Sequence, residues 1–131
     1  MTVIRSYKTK QIPKTTTTKY LIKHKKLVGI PNTKTLAFAR YLAERQQPTR
    51  VRYVIVPNHT DDEHSAHLLG EFIAPMHNID TVELLPYHEL GAHKWALCGD
   101  EYQLKDTRPP AKETVARIQQ IMESYGKHVI V

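Results

Sequence analysis

Short apolar strands alternate with amphipathic helices along this chain, and this alternation restricts the fold more than any other feature. The strand patterns are RVRYVIVP at residues 50–57, TVELLP at 81–86 and HVIV at 128–131. A stripe of apolar residues with helical spacing precedes each of them. Strands separated by helices pair in parallel through right-handed crossovers, so the sequence predicts an α/β fold with a parallel sheet.

The helix ends carry their own signals. The three helices are predicted at about residues 33–45, 60–75 and 111–125. Asn32 or Thr33 caps the first helix. Thr60 and Glu63 form a capping-box pattern, a threonine cap with a glutamate three residues later. Gly126 suits the left-handed turn that ends many helices, so it is expected just after the third helix.

The strand at residues 50–57 contains a charge, Arg52, among apolar neighbours. It shows no clean alternation of apolar and polar residues, which predicts burial on both faces. A charge in such a strand is costly unless it is paired. Arg52 is therefore expected either in an internal ion pair or as the holder of an anionic ligand.

The strand at residues 81–86 stops at Pro86, which has no backbone N–H to continue a ladder. Polar, aromatic and titratable residues follow directly: Tyr87, His88, Glu89, His93, Lys94 and Trp95. Ligands of parallel α/β folds bind outside the carboxyl ends of the strands, so this loop is a candidate site. From this segment alone, an ordinary surface loop after a buried strand is an equal alternative.

The net charge of +6 is concentrated at the N-terminus. Residues 1–26 hold eight of the 19 basic residues and no acidic one, so 11 basic residues face 13 acidic ones in residues 27–131. Residues 1–26 are predicted to be a basic, disordered leader, and residues 27–131 the folded part. Nucleic-acid or anion binding by the leader is the alternative function, but Tyr7 and Tyr20 are its only aromatic residues for base stacking.

Composition excludes several classes of protein. No apolar run approaches the length of a membrane span or a signal peptide, so a cytoplasmic location is expected. Cys98 is the only cysteine, which excludes an internal disulfide and a zinc-thiolate or iron–sulfur site built from this chain alone. His64 and His67 share helical spacing, but no further ligands complete a metal site, and the scatter of the eight histidines gives a metal hydrolase little support.

Four stretches together resemble one family, the pyruvate formate-lyase activating enzymes, which are radical S-adenosylmethionine proteins that activate glycyl radical enzymes. The stretches are NTKTLAFARYL, VRYVIVP followed by TDDEHS, ELLPYHELGAHKW, and PPAKETVARIQQIMESYG. The resemblance covers the C-terminal half of the family, from about Leu27 to Val131 here. It implies the C-terminal part of a partial (β/α)6 TIM-like barrel, an S-adenosylmethionine cofactor and a [4Fe-4S] cluster. It also implies radical oxidoreductase chemistry on pyruvate formate-lyase during anaerobic pyruvate cleavage.

The resemblance also implies site residues. Arg52, Val54, Leu85 and His88 match positions lining the S-adenosylmethionine site, with Arg52 facing the carboxylate or ribose. A second group matches the side of the barrel where the glycine loop of the partner enters: Tyr87, His93, Lys94 and Trp95.

Three departures from the family pattern limit what this chain is expected to do. The C-x-x-x-C-x-x-C cluster motif is absent, as are the early strands of the barrel, and Asn58 replaces a usual glycine. Asparagine tolerates the left-handed backbone region, so the turn at Asn58 is expected to form. We expect a truncated or frame-shifted product that binds neither cofactor tightly, has no catalytic or metal-binding residues of its own and is inactive alone. Three strands leave unpaired edges, which predicts marginal stability, self-association or the need for a complementing N-terminal half.

Overall fold

The computed structural model describes residues 2–3, 32–88, 104 and 107–131 of the chain. Within these ranges the strands are β1 (Thr2–Val3), β2 (Thr49–Ile55), β3 (Ile79–Pro86) and β4 (His128–Ile130). The helices are α1 (Thr33–Glu44), α2 (Glu63–Ile73) and α3 (Lys112–Ser124). None of these helices has both the length and the apolar character that a membrane crossing requires.

The strands form one sheet in the order β1-β2-β3-β4. β2, β3 and β4 are parallel to one another, whereas β1 runs antiparallel to β2. Each parallel strand is preceded by a helix, as the sequence predicts, and the α/β fold with parallel strands is confirmed. The rest of the predicted leader lies outside the described residues, so its disorder stays a prediction.

All three helices pack on the same face of the sheet. The strand residues of the core occupy alternate positions, Val51, Tyr53 and Ile55 in β2 and Val82 and Leu84 in β3. Each helix adds its apolar stripe to this cluster: Leu36, Ala39 and Ala43 from α1, Ala66, Leu69, Phe72 and Ile73 from α2, and Val115, Ile118 and Met122 from α3. The core is therefore a single layer between the helices and one side of the sheet.

The prediction that the first apolar strand is buried on both faces is wrong. Burial alternates along β2, and Arg52, expected inside the protein, has 55% of its side chain exposed. The helices cover only the face that carries Val51 and Tyr53, so the intervening residues, Arg50 among them, stay accessible. Val54 makes the opposite face look apolar in the sequence, although no described helix packs there.

The capping box predicted at Thr60 is also wrong. α2 begins at Glu63, and its cap is Asp62, whose carboxylate accepts a hydrogen bond of 2.8 Å from the Ser65 backbone N–H. The Thr60 hydroxyl instead donates to the Val54 carbonyl at 2.7 Å and accepts from the Val56 N–H at 2.8 Å. A threonine three residues before a glutamate matches the pattern, but here it closes the turn after β2.

Two turn predictions are confirmed. Gly126 follows α3 with φ of 77°, in the left-handed region that a C-terminal helix turn uses. Asn58 also lies in this region, with φ of 64°. Asparagine tolerates this conformation better than most residues with a side chain, so the turn after β2 forms without glycine.

Lys127 lies buried between α3 and β4, a feature that the sequence analysis missed. Its ammonium group donates to the backbone carbonyls of Met76, at 3.1 Å, and Ile79, at 2.7 Å. These bonds join the end of the chain to the start of β3. Burial lowers the pKa of Lys127, and Asp80 opposes that shift.

Replacing Lys127 with methionine should destabilise the fold, since the Ile79 carbonyl loses a charged donor. We expect the free energy of unfolding to fall by about 1–3 kcal/mol at neutral pH, measured by urea denaturation. Lys112→Met, at an exposed position of α3, is the matched control and should change stability by less than about 0.5 kcal/mol. Equal stability of the two variants would contradict the structural role of Lys127.

The same lysine predicts a pH dependence. Its pKa is lower in the folded chain than in the unfolded chain, so the unfolded chain binds its proton more tightly. The contribution of Lys127 to the free energy of unfolding should therefore rise as pH increases from the folded-state pKa toward the ordinary pKa of lysine. The difference in free energy of unfolding between the wild type and Lys127→Met, followed across this pH range, isolates that slope from other titrating groups.

Candidate functional site

The sheet has a second face, opposite the helices, which we call the open face. Its residues alternate with the core residues and are exposed or half-buried: Arg50, Arg52 and Val54 in β2, Thr81, Glu83 and Leu85 in β3, and His128 and Ile130 in β4. No described helix packs on it. A sheet face with this many charged and apolar groups is the part of the described chain most suited to contact a ligand or a partner.

The register of β2 and β3 brings three of the predicted cofactor-binding residues together. Val54 lies beside Leu85, and Arg52 lies beside Glu83, in the parallel pairing of the two strands. The sequence placed Arg52, Val54 and Leu85 in two separate segments, and only the sheet makes them neighbours. Their predicted role in cofactor binding stays a prediction.

Arg52 and Glu83 form the ion pair of the open face. Nε of Arg52 donates to Oε2 of Glu83 at 2.7 Å, and the side chains are 55% and 21% exposed. The bond uses Nε, and the terminal Nη atoms of the guanidinium have no partner among the described residues, so they could bind a second oxyanion in a bidentate manner. An exposed pair of this kind adds little to stability, so its placement favours a binding role over a structural one.

Glu83 is a candidate functional residue that the sequence analysis missed. The signal was present, because Glu83 and Leu85 are two residues apart and lie on the same face of a strand. What the sequence does not reveal is that Arg52 lies directly across from Glu83, which depends on the register between β2 and β3. Glu83 holds the guanidinium of Arg52 in place.

The carboxyl end of β3 is where the sequence analysis placed its loop site. β3 ends at Pro86, as predicted, and the Tyr87 N–H donates to the Ile55 carbonyl at 3.0 Å. Tyr87 is buried, with 7% of its surface exposed, whereas His88 is exposed. The predicted residues His93, Lys94 and Trp95 lie outside the described residues, and their placement stays a prediction.

Comparison with known proteins supports the resemblance to the pyruvate formate-lyase-activating enzymes. Over 107 residues the chain is 51% identical to the pyruvate formate-lyase 1-activating enzyme of Escherichia coli K12, a match that covers 82% of this chain. This chain matches the C-terminal part of the pyruvate formate-lyase-activating enzymes. The enzyme of Staphylococcus epidermidis is 45% identical over 105 residues, or 80% of this chain. No family model matches the sequence.

A solved structure supports the same fold. A domain of the pyruvate-formate lyase-activating enzyme of Bacteroides vulgatus superposes with a TM-score of 0.66 at 23% identity, over 84% of this chain and 59% of that chain. At this identity the likeness concerns the fold alone. It confirms the prediction that the chain folds as the C-terminal part of a partial, TIM-like barrel with parallel strands.

The chain spans less than half the length of the curated activating enzymes that it matches: 44% of the Escherichia coli enzyme and 42% of the Staphylococcus epidermidis enzyme. In a closed barrel the helices lie outside and the opposite sheet face points inward. The open face of this chain therefore corresponds to the inner face of such a barrel. Arg52, on this face, is exposed among the described residues.

The iron–sulfur cluster that the resemblance implies does not fit the residues of this chain. A [4Fe-4S] cluster is held by several cysteine thiolates, and the sequence contains only Cys98, which lies outside the described residues. Within the described ranges no three histidine, cysteine, aspartate or glutamate side chains converge as metal ligands. His67, a candidate ligand by spacing, instead places Nδ1 3.0 Å from the Tyr125 hydroxyl.

Proposed function

We propose that this chain forms the C-terminal wall of the S-adenosylmethionine cavity of a pyruvate formate-lyase-activating enzyme. The observation that carries the proposal is the open face, where the Arg52–Glu83 ion pair lies beside Val54 and Leu85. The 51% identity to the Escherichia coli enzyme supports the choice of family. A separate N-terminal half supplies the other wall and the cluster cysteines, and pyruvate formate-lyase is the protein substrate of the assembly.

Each residue has a role that its chemistry suits. The Nη atoms of Arg52 bind the carboxylate of S-adenosylmethionine, and Glu83 keeps the guanidinium oriented through Nε. Val54 and Leu85 offer an apolar surface of two neighbouring side chains to the less polar part of the cofactor. His88, exposed after the end of β3, contacts the nucleoside end.

S-adenosylmethionine, when bound, is the source of the radical that the resemblance implies for the family. This chain contributes binding and orientation to that chemistry and lacks the thiolates for the cluster. We therefore expect no enzymatic activity from the chain alone.

The charged pair provides the test. With the complementing part of the Escherichia coli enzyme present at saturation, Arg52→Gln should weaken S-adenosylmethionine binding roughly 10- to 150-fold, since it removes a charged hydrogen bond of about 1.5–3 kcal/mol. Glu83→Gln keeps the shape of the side chain but loses its charge, and it should produce a smaller loss. Equilibrium dialysis with labelled cofactor measures both.

The chain offers a matched control on its helix side. Arg117 and Glu63 form an exposed ion pair of 3.2 Å between α3 and α2. Arg117→Gln and Glu63→Gln should leave cofactor binding unchanged. Equal losses from the two pairs, or tight binding of iron and S-adenosylmethionine by this chain without a partner, would refute the proposed function.

A further inference from the structure

The outer edge of β2 is only partly paired. β1 joins it through two residues, with Thr2 beside Tyr53 and Val3 beside Arg52. β2 has seven residues, and the remaining positions of this edge have no strand neighbour in the described ranges. An unpaired row of backbone N–H and C=O groups binds another strand readily.

The connection from α1 to β2 shows what kind of strand this edge suits. Each parallel strand of the sheet follows its helix, and right-handed crossovers place the next parallel strand beside the previous one. A strand that preceded α1 in the same pattern would lie parallel to β2 at its outer edge. β1 lies at the outer edge of β2, but it is antiparallel to β2 and has only two residues, so it is not the parallel strand that this pattern predicts.

We propose that β1 is a displaceable cover on the β2 edge, and that this edge docks a parallel strand of the complementing N-terminal half. The inference rests on the proposed function. A seven-residue parallel strand forms more backbone hydrogen bonds with β2 than the two residues of β1, so the longer strand displaces the shorter one. β1 therefore competes with assembly and keeps the edge from pairing with other chains.

Charge disfavours a second copy of this chain as the occupant. Arg50 and Arg52 lie on the same face of β2. If two copies paired through their β2 edges, the strands would run antiparallel around a two-fold axis, and the arginine-bearing faces of both copies would lie on the same side of the joined sheet. The arginines of the two copies would then repel each other. A strand with an acidic residue beside Arg50 is favoured, since no described acidic side chain forms an ion pair with Arg50.

The experiment compares two double variants of the full chain. Thr2→Pro with Val3→Pro removes both backbone N–H groups of β1, whereas Thr2→Ala with Val3→Ala keeps them. The binding partner is the separately produced part of the Escherichia coli pyruvate formate-lyase 1-activating enzyme that lies outside the match. We expect the proline variant to bind it about tenfold more tightly than the wild type and the alanine variant to bind like the wild type.

Amide hydrogen exchange gives a readout that needs no partner. Of Arg52 and Tyr53, the residue whose N–H points toward β1 should exchange faster in the proline variant, while the amides bonded to β3 stay protected. Unchanged exchange at both residues would show that β1 does not cover the edge.

The remaining outcomes separate the cover from the proposed function. Equal affinity of the wild type and the proline variant overturns the cover and leaves the proposed function standing. Absence of binding by every variant overturns both. Dimerisation of the proline variant in sedimentation, without binding of the partner, identifies a second copy as the occupant and overturns the choice of partner.

Discussion

Leu84→Ala is expected to lower the free energy of unfolding by about 2–5 kcal/mol. Leu84 lies in β3, the middle strand of the three parallel ones, and none of its surface is exposed. It belongs to the cluster to which all three helices contribute. Removing its side chain leaves a cavity that neighbours on several elements cannot all fill, and a loss of this size represents much of the stability of a small domain.

The next residue provides the matched control. Leu85 has the same side chain in the same strand but lies half-buried on the open face. Leu85→Ala should cost less than about 1 kcal/mol in the isolated chain, because it leaves no enclosed cavity. Urea denaturation followed by circular dichroism measures both variants. Similar losses from the two would mean that the open face is packed, and the account of a one-sided core would fail.

Gly70→Ala is expected to destabilise the protein by about 1–3 kcal/mol, although alanine normally favours a helix over glycine by about 1 kcal/mol. Gly70 lies within α2, where an added Cβ atom would clash with Cδ2 of the Tyr125 ring. The ring would have to move away, which opens the contact between α2 and α3. The helix-propensity gain is smaller than this packing loss.

Variants of Tyr125 decide whether the ring is the cause. In a Tyr125→Ala background the obstacle is absent, so Gly70→Ala should become neutral or stabilising by up to about 1 kcal/mol. Tyr125→Phe keeps the ring and removes only the hydroxyl bonded to His67, so Gly70→Ala should remain destabilising there. Thermal or urea unfolding of the wild type, Gly70→Ala, Tyr125→Ala and the double variant gives the coupling energy between the two positions. A stabilising effect of Gly70→Ala in the wild-type chain would refute the clash.

Local structure could be predicted from the sequence with few errors. The helix stripes, the stop at Pro86 and the left-handed turns at Gly126 and Asn58 depend on residues that are close in the chain. Thr60 was misassigned because a threonine hydroxyl can cap a helix or close a turn, and only the neighbouring backbone decides which it does. Local patterns therefore predict elements better than they predict the hydrogen bonds at element ends.

The candidate site was predicted in part. Arg52 stood out as a charge in an apolar strand, but its exposure was missed, since a strand pattern does not show whether one or both faces are covered. Glu83 and Lys127 were missed for a related reason. Their partners, Arg52 and the Met76 and Ile79 carbonyls, lie 31 or more residues away along the chain.

Three properties could be inferred without coordinates: the order of helices and strands, the family that the chain resembles and the lack of thiolates for a cluster. These properties depend on residue type and short-range spacing. The folded structure was needed to show which face of the sheet is covered, that Arg52 pairs with Glu83, and that β1 lies on the β2 edge. Those features depend on strand register and on the side where the helices pack, which are set by contacts between distant segments.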